Sequence, residues 1–394
     1  MKQSISKNLT NPFPSPKALL DSLPLDSLPL DSISLDSLPN PKNALKKFQD
    51  LSHSLPQKLP NIKRWSEQQS LQNQNPNPKN VRENIKVPFS KEMKKTHTIL
   101  VPMMLPIHFQ FLVNILHLHG YKAELLHNDG KGVVDEGLRN VHNDTCYPAL
   151  LVIGQMIDAL KSGKYDLEKV ALLITQTGGG CRASNYIHLL RKALIKAGFG
   201  AIPVISLNFS GLESGQGFSV TRQMLKHFTN AMIYGDLLMC VANQCKPYEV
   251  NKGDTEKMVS KWIERVTKLD FASKASKIKS GLTNYKILKR DMKEILQDFA
   301  SIEQKRAQKI KVGIVGEIYI KFSPLGNNNL EDFLLEENCE VVVPGFLDFG
   351  LYCINDRLVE NRFYGDKFST KIIYQMGYWN FLRRQKDLIK AIKR

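Results

Sequence analysis

Two cysteines carry the strongest chemical signal in this chain. Cys146 lies in Asn143-Asp144-Thr145-Cys146-Tyr147-Pro148, and Cys181 in Gln176-Thr177-Gly178-Gly179-Gly180-Cys181-Arg182-Ala183-Ser184-Asn185. Each stands just before a helical pattern, so each is expected at or beside a helix start. A helix N-terminus offers free N–H groups and the positive end of a dipole, which favour thiolates and anionic cofactors. Gly178, Gly179 and Gly180 let the backbone approach a bulky ligand, and Arg182 adds positive charge. The run is not a Walker A loop, because it lacks the closing Gly-Lys-Ser/Thr, nor is it GxGxxG with an acidic ribose partner. No CxxC pair exists for a zinc ribbon or a thioredoxin-like site. Cys181 as a nucleophile would want a base, for which His142 or His188 is on offer, but that explains neither Cys146 nor the glycines. Two thiolates on adjacent helix starts suit a metal or an iron–sulfur cluster. On chemistry alone, a cluster, a thiol nucleophile and ordinary turn cysteines all stay open.

The elements that must position these residues follow from periodicity. Residues 98–105 read as a buried strand, 108–119 as a helix closed by Gly120, and 121–126 as a second strand. A helix over 149–161 ends at Gly163. A strand over 170–175 runs into the glycine turn, a helix to about Ala197 ends at Gly198, and 202–206 is the next strand. This alternation predicts a parallel sheet, whose carboxyl edge is where ligands bind. Residues 311–315 begin a second parallel unit, with Glu317 at its strand end as either a ligand-facing acid or a capping carboxylate. A helix over 330–337 and a strand over 341–343 follow. Between the two units, 251–310 is helical and basic, with Trp262, Ile263 and Val266 and then Leu288, Met292, Ile295 and Phe299 at helix spacing. Cys240 and Cys245 lie in an apolar stretch and read as buried neutral thiols. Cys339 reads as structural. Cys353, near the second unit, is a third candidate ligand.

The chain has 394 residues, of which 42% are hydrophobic, enough for two or three domains with real cores. Six cysteines are too few for a disulfide scaffold. The N-terminus leads into no secretory h-region, so a reduced cytoplasm is expected. The net charge of +17 is uneven: 1–95, 251–310 and 361–394 each carry a surplus of seven positive charges, and the remainder is slightly acidic. No basic stripe interleaved with aromatics tracks a phosphate backbone, so no nucleic acid is expected. Prolines and polar residues interrupt the apolar window 99–116, so no membrane span is expected. The repeats LDSLP-LDSLP-LDSIS-LDSLP from Leu20 and the Gln/Asn/Pro-rich stretch 68–80 predict a disordered leader.

Six ordered segments carry a family resemblance. They are VPMMLPIHF (101–109), NDTCYPALLVIGQMIDALKSGKYD (143–166), QTGGGCRASNYIHLLRKAL (176–194), YGDLLMCVANQCKPYE (234–249), KVGIVGEIYIKFSPLGNN (311–328) and EVVVPGFLDF (340–349). Together they make the chain resemble the acyl-CoA dehydratase activase-related family. That family is related to the D-component of 2-hydroxyglutaryl-CoA dehydratase, a 2-hydroxyacyl-CoA dehydratase. The resemblance covers about two-thirds of the chain, from about Thr96 to Ile354, and implies an α/β fold of Rossmann-like lobes with a cluster between them. It implies that Cys146 and Cys181 ligate an iron–sulfur cluster, 4Fe-4S in kind by analogy, and that an ATP-dependent activator protein passes single electrons to it. An acyl-CoA or other small-molecule substrate is implied, with Gly178–Gly180, Arg182, Tyr147, Asn185 and Glu317 about the pocket. The expected organisation is a leader (1–95), a first lobe (96–250), a helical linker (251–310) and a partial second lobe with a basic C-terminal helix (311–394). The family's third cysteine comes from a further lobe whose motif is not found before Arg394. The resemblance therefore leaves that ligand to Cys353 or to a separate chain. The alternative is a non-catalytic subunit of a split enzyme with no cluster of its own.

Overall fold

The computed structural model describes residues 86–393 apart from 143, 178–180, 209–216, 277–279, 306, 366 and 367. The leader expected over 1–95 lies outside them as far as residue 85, and so do Gly178, Gly179 and Gly180. The chain is mixed α/β. Strands β1 (Thr98–Val101), β2 (Lys122–Leu125), β3 (Val170–Gln176) and β4 (Val204–Asn208) form one parallel sheet in the order β2-β1-β3-β4. Register pairs Thr98 with both Lys122 and Val170, and Leu172 with Val204. The order turns back between β1 and β3, and in open α/β sheets the carboxyl ends at such a point are where ligands bind.

Helices cover both faces. Alternate strand residues point to opposite sides. Ile99, Val101, Ala171, Leu173, Ile205 and Leu207 pack into one core with helices α1 (Pro106–Leu118), α5 (Arg222–Cys245), α6 (Asp254–Ser276) and α7 (Tyr285–Ala300). Leu100, Leu172, Ile174 and Val204 pack into the other with α3 (Tyr147–Lys161) and α4 (Tyr186–Lys196). Buried on both faces, β3 reads as a near-continuous apolar run. Helix α3 is apolar all round because it is enclosed: sheet and α4 lie on one side, α2 (Lys131–Asn140) on the other. Gly154 makes that enclosure possible, since a Cβ there would stand 2.2 Å from the Val133 carbonyl oxygen.

The helical segment between the two sheets is core. Trp262, Ile263, Val266, Leu288, Met292, Ile295 and Phe299 are all buried, as their spacing requires, while Lys257, Lys261 and Lys268 are exposed. A second, two-stranded parallel sheet pairs β5 (Lys311–Gly313) with β6 (Glu340–Val342). Between them lie α8 (Ile318–Phe322) and α9 (Leu330–Glu336). Ile314, Phe322, Val341 and Val343 close a small core on Leu105 and on Met239 of α5. Helices α10 (Phe346–Tyr364) and α11 (Phe368–Ile392) follow, and Leu347, Phe381 and Leu388 return to the first core.

Candidate functional site

Cys146 is the N-cap residue of α3 and Cys181 that of a single 3₁₀ turn, Arg182–Asn185, leading into α4. Neither side chain caps its own helix, so both thiols are left to other contacts. The two turns are neighbours: the Arg182 guanidinium Nη1 donates to the Asp144 carbonyl at 3.0 Å. The Cys146 Sγ and the Tyr186 hydroxyl stand 2.6 Å apart. Burial first, then that hydrogen bond, then the fields of Cys146, Cys181 and Glu317 push the Tyr186 phenol far above its ordinary range. One tyrosine at the head of α4 thus reports three of the expected site residues in a common neighbourhood.

Cys353, on α10, belongs to the same neighbourhood. Burial raises its thiol, and the fields of Asp356 and then Cys181 add to that. Glu317 is the N-cap of α8 and accepts from the Ile320 N–H at 3.0 Å, so it does the work of a capping carboxylate. Its field also reaches Tyr186 and Tyr319. Tyr319 is pushed up to about 12, by burial first and then by the fields of Tyr147 and Glu317. Tyr147 itself is exposed, and so are Cys181, Arg182 and Asn185. Asn185 makes no capping bond at the head of α4. His142 is engaged with Asp144, whose backbone N–H donates to its Nδ1 at 3.2 Å, and His188 is exposed on α4.

Several positioning residues had no assigned role in the sequence. Gln176, at the end of β3, is buried. It donates to the Ser184 carbonyl at 2.8 Å and accepts from the Ser206 hydroxyl, which ties the Cys181 turn back to the sheet. Gln155 of α3 accepts from the Met103 N–H at 3.1 Å and donates to the Asn128 carbonyl at 2.9 Å, joining the loops after β1 and β2. Asp236 of α5 is buried and accepts from the N–H groups of Phe346 (2.7 Å) and Leu347 (2.8 Å) and from His108 Nε2 (2.9 Å). It therefore caps α10, the helix that carries Cys353. Side-chain oxygens at helix starts are a familiar pattern, but one supplied from a residue over a hundred positions away leaves no local signal. Lys321 is held below the ordinary lysine range by burial, against the fields of Asp348, Asp236 and Glu317.

The donor types fit iron–sulfur ligation, which uses soft thiolates. Their spacing is open: among the described residues no group of three or more His, Cys, Asp or Glu side chains is arranged to hold a metal ion. Nor, among those residues, is any helix long and apolar enough to cross a membrane. No protein-family model matches the chain, and no curated protein and no solved structure matches it.

Proposed function

We propose that the chain is the cluster-holding component of a low-potential one-electron system, of the 2-hydroxyacyl-CoA dehydratase-like or related ATP-activated reductase kind that its motifs resemble. In this reading its two parallel-sheet units are Rossmann-like lobes. Cys146 and Cys181 hold an iron–sulfur cluster, with Cys353 as the third ligand from this chain. The observation that carries it is the meeting of two helix-start cysteines at one sheet edge with Cys353 in the field of Cys181. Such a cluster supplies a single electron at low potential. The protein's own part is to present the thiols, to hold negative charge with Arg182 and the N-termini of α3 and α4, and to donate the Tyr186 hydroxyl to the Cys146 sulfur. An acyl-CoA or similar small substrate, an ATP-dependent activator and a cytoplasmic setting complete the proposal.

The test is anaerobic reconstitution with iron and sulfide, followed by visible absorption and by bound iron and sulfide per chain. A coloured protein whose colour is lost in Cys146→Ala and in Cys181→Ala is expected. The alternative is a subunit with no cluster of its own. It predicts a colourless protein under the same treatment.

A further inference from the structure

Helix α11 has two faces. Phe381 and Leu388 lie on one side of it and pack into the first core. On the opposite side Ile372, Met376, Trp379, Arg383, Lys386 and Lys390 recur at alternating steps of four and three. All six are exposed, Met376 at 68% and Trp379 at 57%. Such steps place residues on one narrow seam, the pattern by which one helix packs along another. This seam is divided end to end: its first three positions are apolar and its last three are cations. Helix α10 repeats the spacing with Tyr352, Asp356, Val359 and Phe363, again all exposed. Seams of this kind are the core positions of helix bundles, and here they face water.

The charge on the seam says what covers it. Asp387 is the one carboxylate between Lys371 and Ile392, and it is engaged elsewhere, with Lys289 at 2.7 Å and the Tyr285 hydroxyl at 2.8 Å. A second copy of the chain does not match. Two α11 seams running the same way put cations on cations, and running opposite ways they put cations on Ile372 and Met376. A bilayer surface does not match either. A helix lying in one turns its apolar residues to the lipid along its length and carries its cations on the other face, whereas here both share one face.

We propose that the outer face of α11 docks an amphipathic helix of another protein, one whose own seam is acidic over its N-terminal half and apolar over its C-terminal half. Running antiparallel to α11, that helix lays its apolar residues on Ile372, Met376 and Trp379 and its carboxylates on Arg383, Lys386 and Lys390. Carboxylates near its N-terminus also suit its own dipole. The charged half fixes direction and register, and the apolar half supplies the buried area. The proposal is independent of any cluster, since none of the seam residues is among the three candidate ligands.

The experiment is fluorescence anisotropy with two labelled three-heptad peptides and the full chain as purified without iron. The first peptide has Glu at its N-terminal seam positions and Leu at its C-terminal ones, and the second has Lys in place of Glu. Three proteins are compared: the wild type, Trp379→Ala, and the triple variant Arg383→Glu/Lys386→Glu/Lys390→Glu, with thermal melting to show that each is folded. The wild type should bind the Glu/Leu peptide saturably, one per chain, and the Lys/Leu peptide at least tenfold more weakly. Trp379→Ala should lose about tenfold toward the Glu/Leu peptide, and the triple variant should reverse the preference between the two peptides. Absent binding of the Glu/Leu peptide by the wild type, equal binding of both peptides, or an unchanged preference in the triple variant would each overturn the proposal. So would displacement of the peptide by phosphatidylserine vesicles, or sedimentation of the wild type as a dimer where the triple variant is a monomer.

Discussion

The molecule treats two pairs of cysteines in opposite ways. Cys240 and Cys245 are close in sequence, on one helix, in the middle of the packing. Cys245 is buried, and the Cys240 thiol is pushed up to about 11, by burial first and then by the field of Asp236. Glutamine amides stand on their sulfurs, Gln244 at 3.4 Å and Gln304 at 3.3 Å. Cys146 and Cys181 are distant in sequence and neighbours in space, each where the chain leaves a loop to begin a helix. Place on the element, more than spacing along the chain, decides whether a thiol is available for chemistry. A thiol packed inside the helical core meets side chains on every side, whereas an N-cap thiol faces the edge of the sheet and unpaired backbone N–H groups.

Alkylation rates give the widest separation. At about pH 8 a thiol with a pKa of about 11 is ionised in roughly one molecule in a thousand. Iodoacetamide should therefore modify exposed Cys181 in the folded protein on the order of a hundredfold faster than Cys240, and buried Cys245 should also react slowly, as followed by peptide mass mapping. Equal rates at all four positions would erase the contrast between the pairs.

Next in size is the capping of the helix that brings Cys353 toward Cys181. Removing the Asp236 carboxylate leaves two N–H groups and His108 without their shared acceptor. Asp236→Ala should lose about 3 kcal/mol in denaturant unfolding, and Cys353 should become more reactive than in the wild type. Unchanged stability would show that α10 is held by its apolar contacts alone.

A smaller effect sharpens the pair at the sheet edge itself. Tyr186→Phe removes the hydroxyl on the Cys146 sulfur, at about 1 kcal/mol. Cys146 labelling should rise while Cys181 labelling stays the same, which separates the bonded thiol from the exposed one.

The smallest effect concerns α2, which supports α3 from behind. Burial acts to raise the Glu136 carboxyl, but the hydrogen bond and charge of Lys161, with Arg139 and Asn140, outweigh it and hold Glu136 below the ordinary range. A carboxyl held low in the folded state stabilises fully above its unfolded value, and that contribution is lost as pH falls through the folded value. Glu136→Gln should therefore be less stable than the wild type near neutral pH, by about 1 kcal/mol or less. The difference should vanish in acid, as melting temperatures across the range would show.

Much of the fold was legible because the pattern was strong. Strand 170–175 was expected and runs through Val170–Gln176, since a central parallel strand is apolar on both faces. The expected strand 98–105 stops at Val101, where Pro102 removes a ladder donor, and the helix after it begins at Pro106, a residue favoured at a first helical position. The core face of 251–310 was readable from Trp262 and from Leu288 through Phe299 at helix spacing. What it packs against was not, because the 24-residue helix Arg222–Cys245 buries Asn230, Tyr234 and Asp236 among its apolar residues and blurs the amphipathic signal. At the site, the glycine run and the two turns pointed to Cys146 and Cys181. Tyr186, Gln176 and Asp236 were not legible as positioning residues. Their partners, Cys146, Ser206 and the start of α10, come from other elements, and only the fold brings them together.

The most direct measurement sets the two cysteine pairs against each other. Iron and sulfide bound per chain after anaerobic reconstitution should be compared in the double variants Cys146→Ala/Cys181→Ala and Cys240→Ala/Cys245→Ala. Loss of iron in the first and retention in the second is the predicted result. Iron retained in the first, or no iron on the wild type, would contradict a cluster held at the sheet edge.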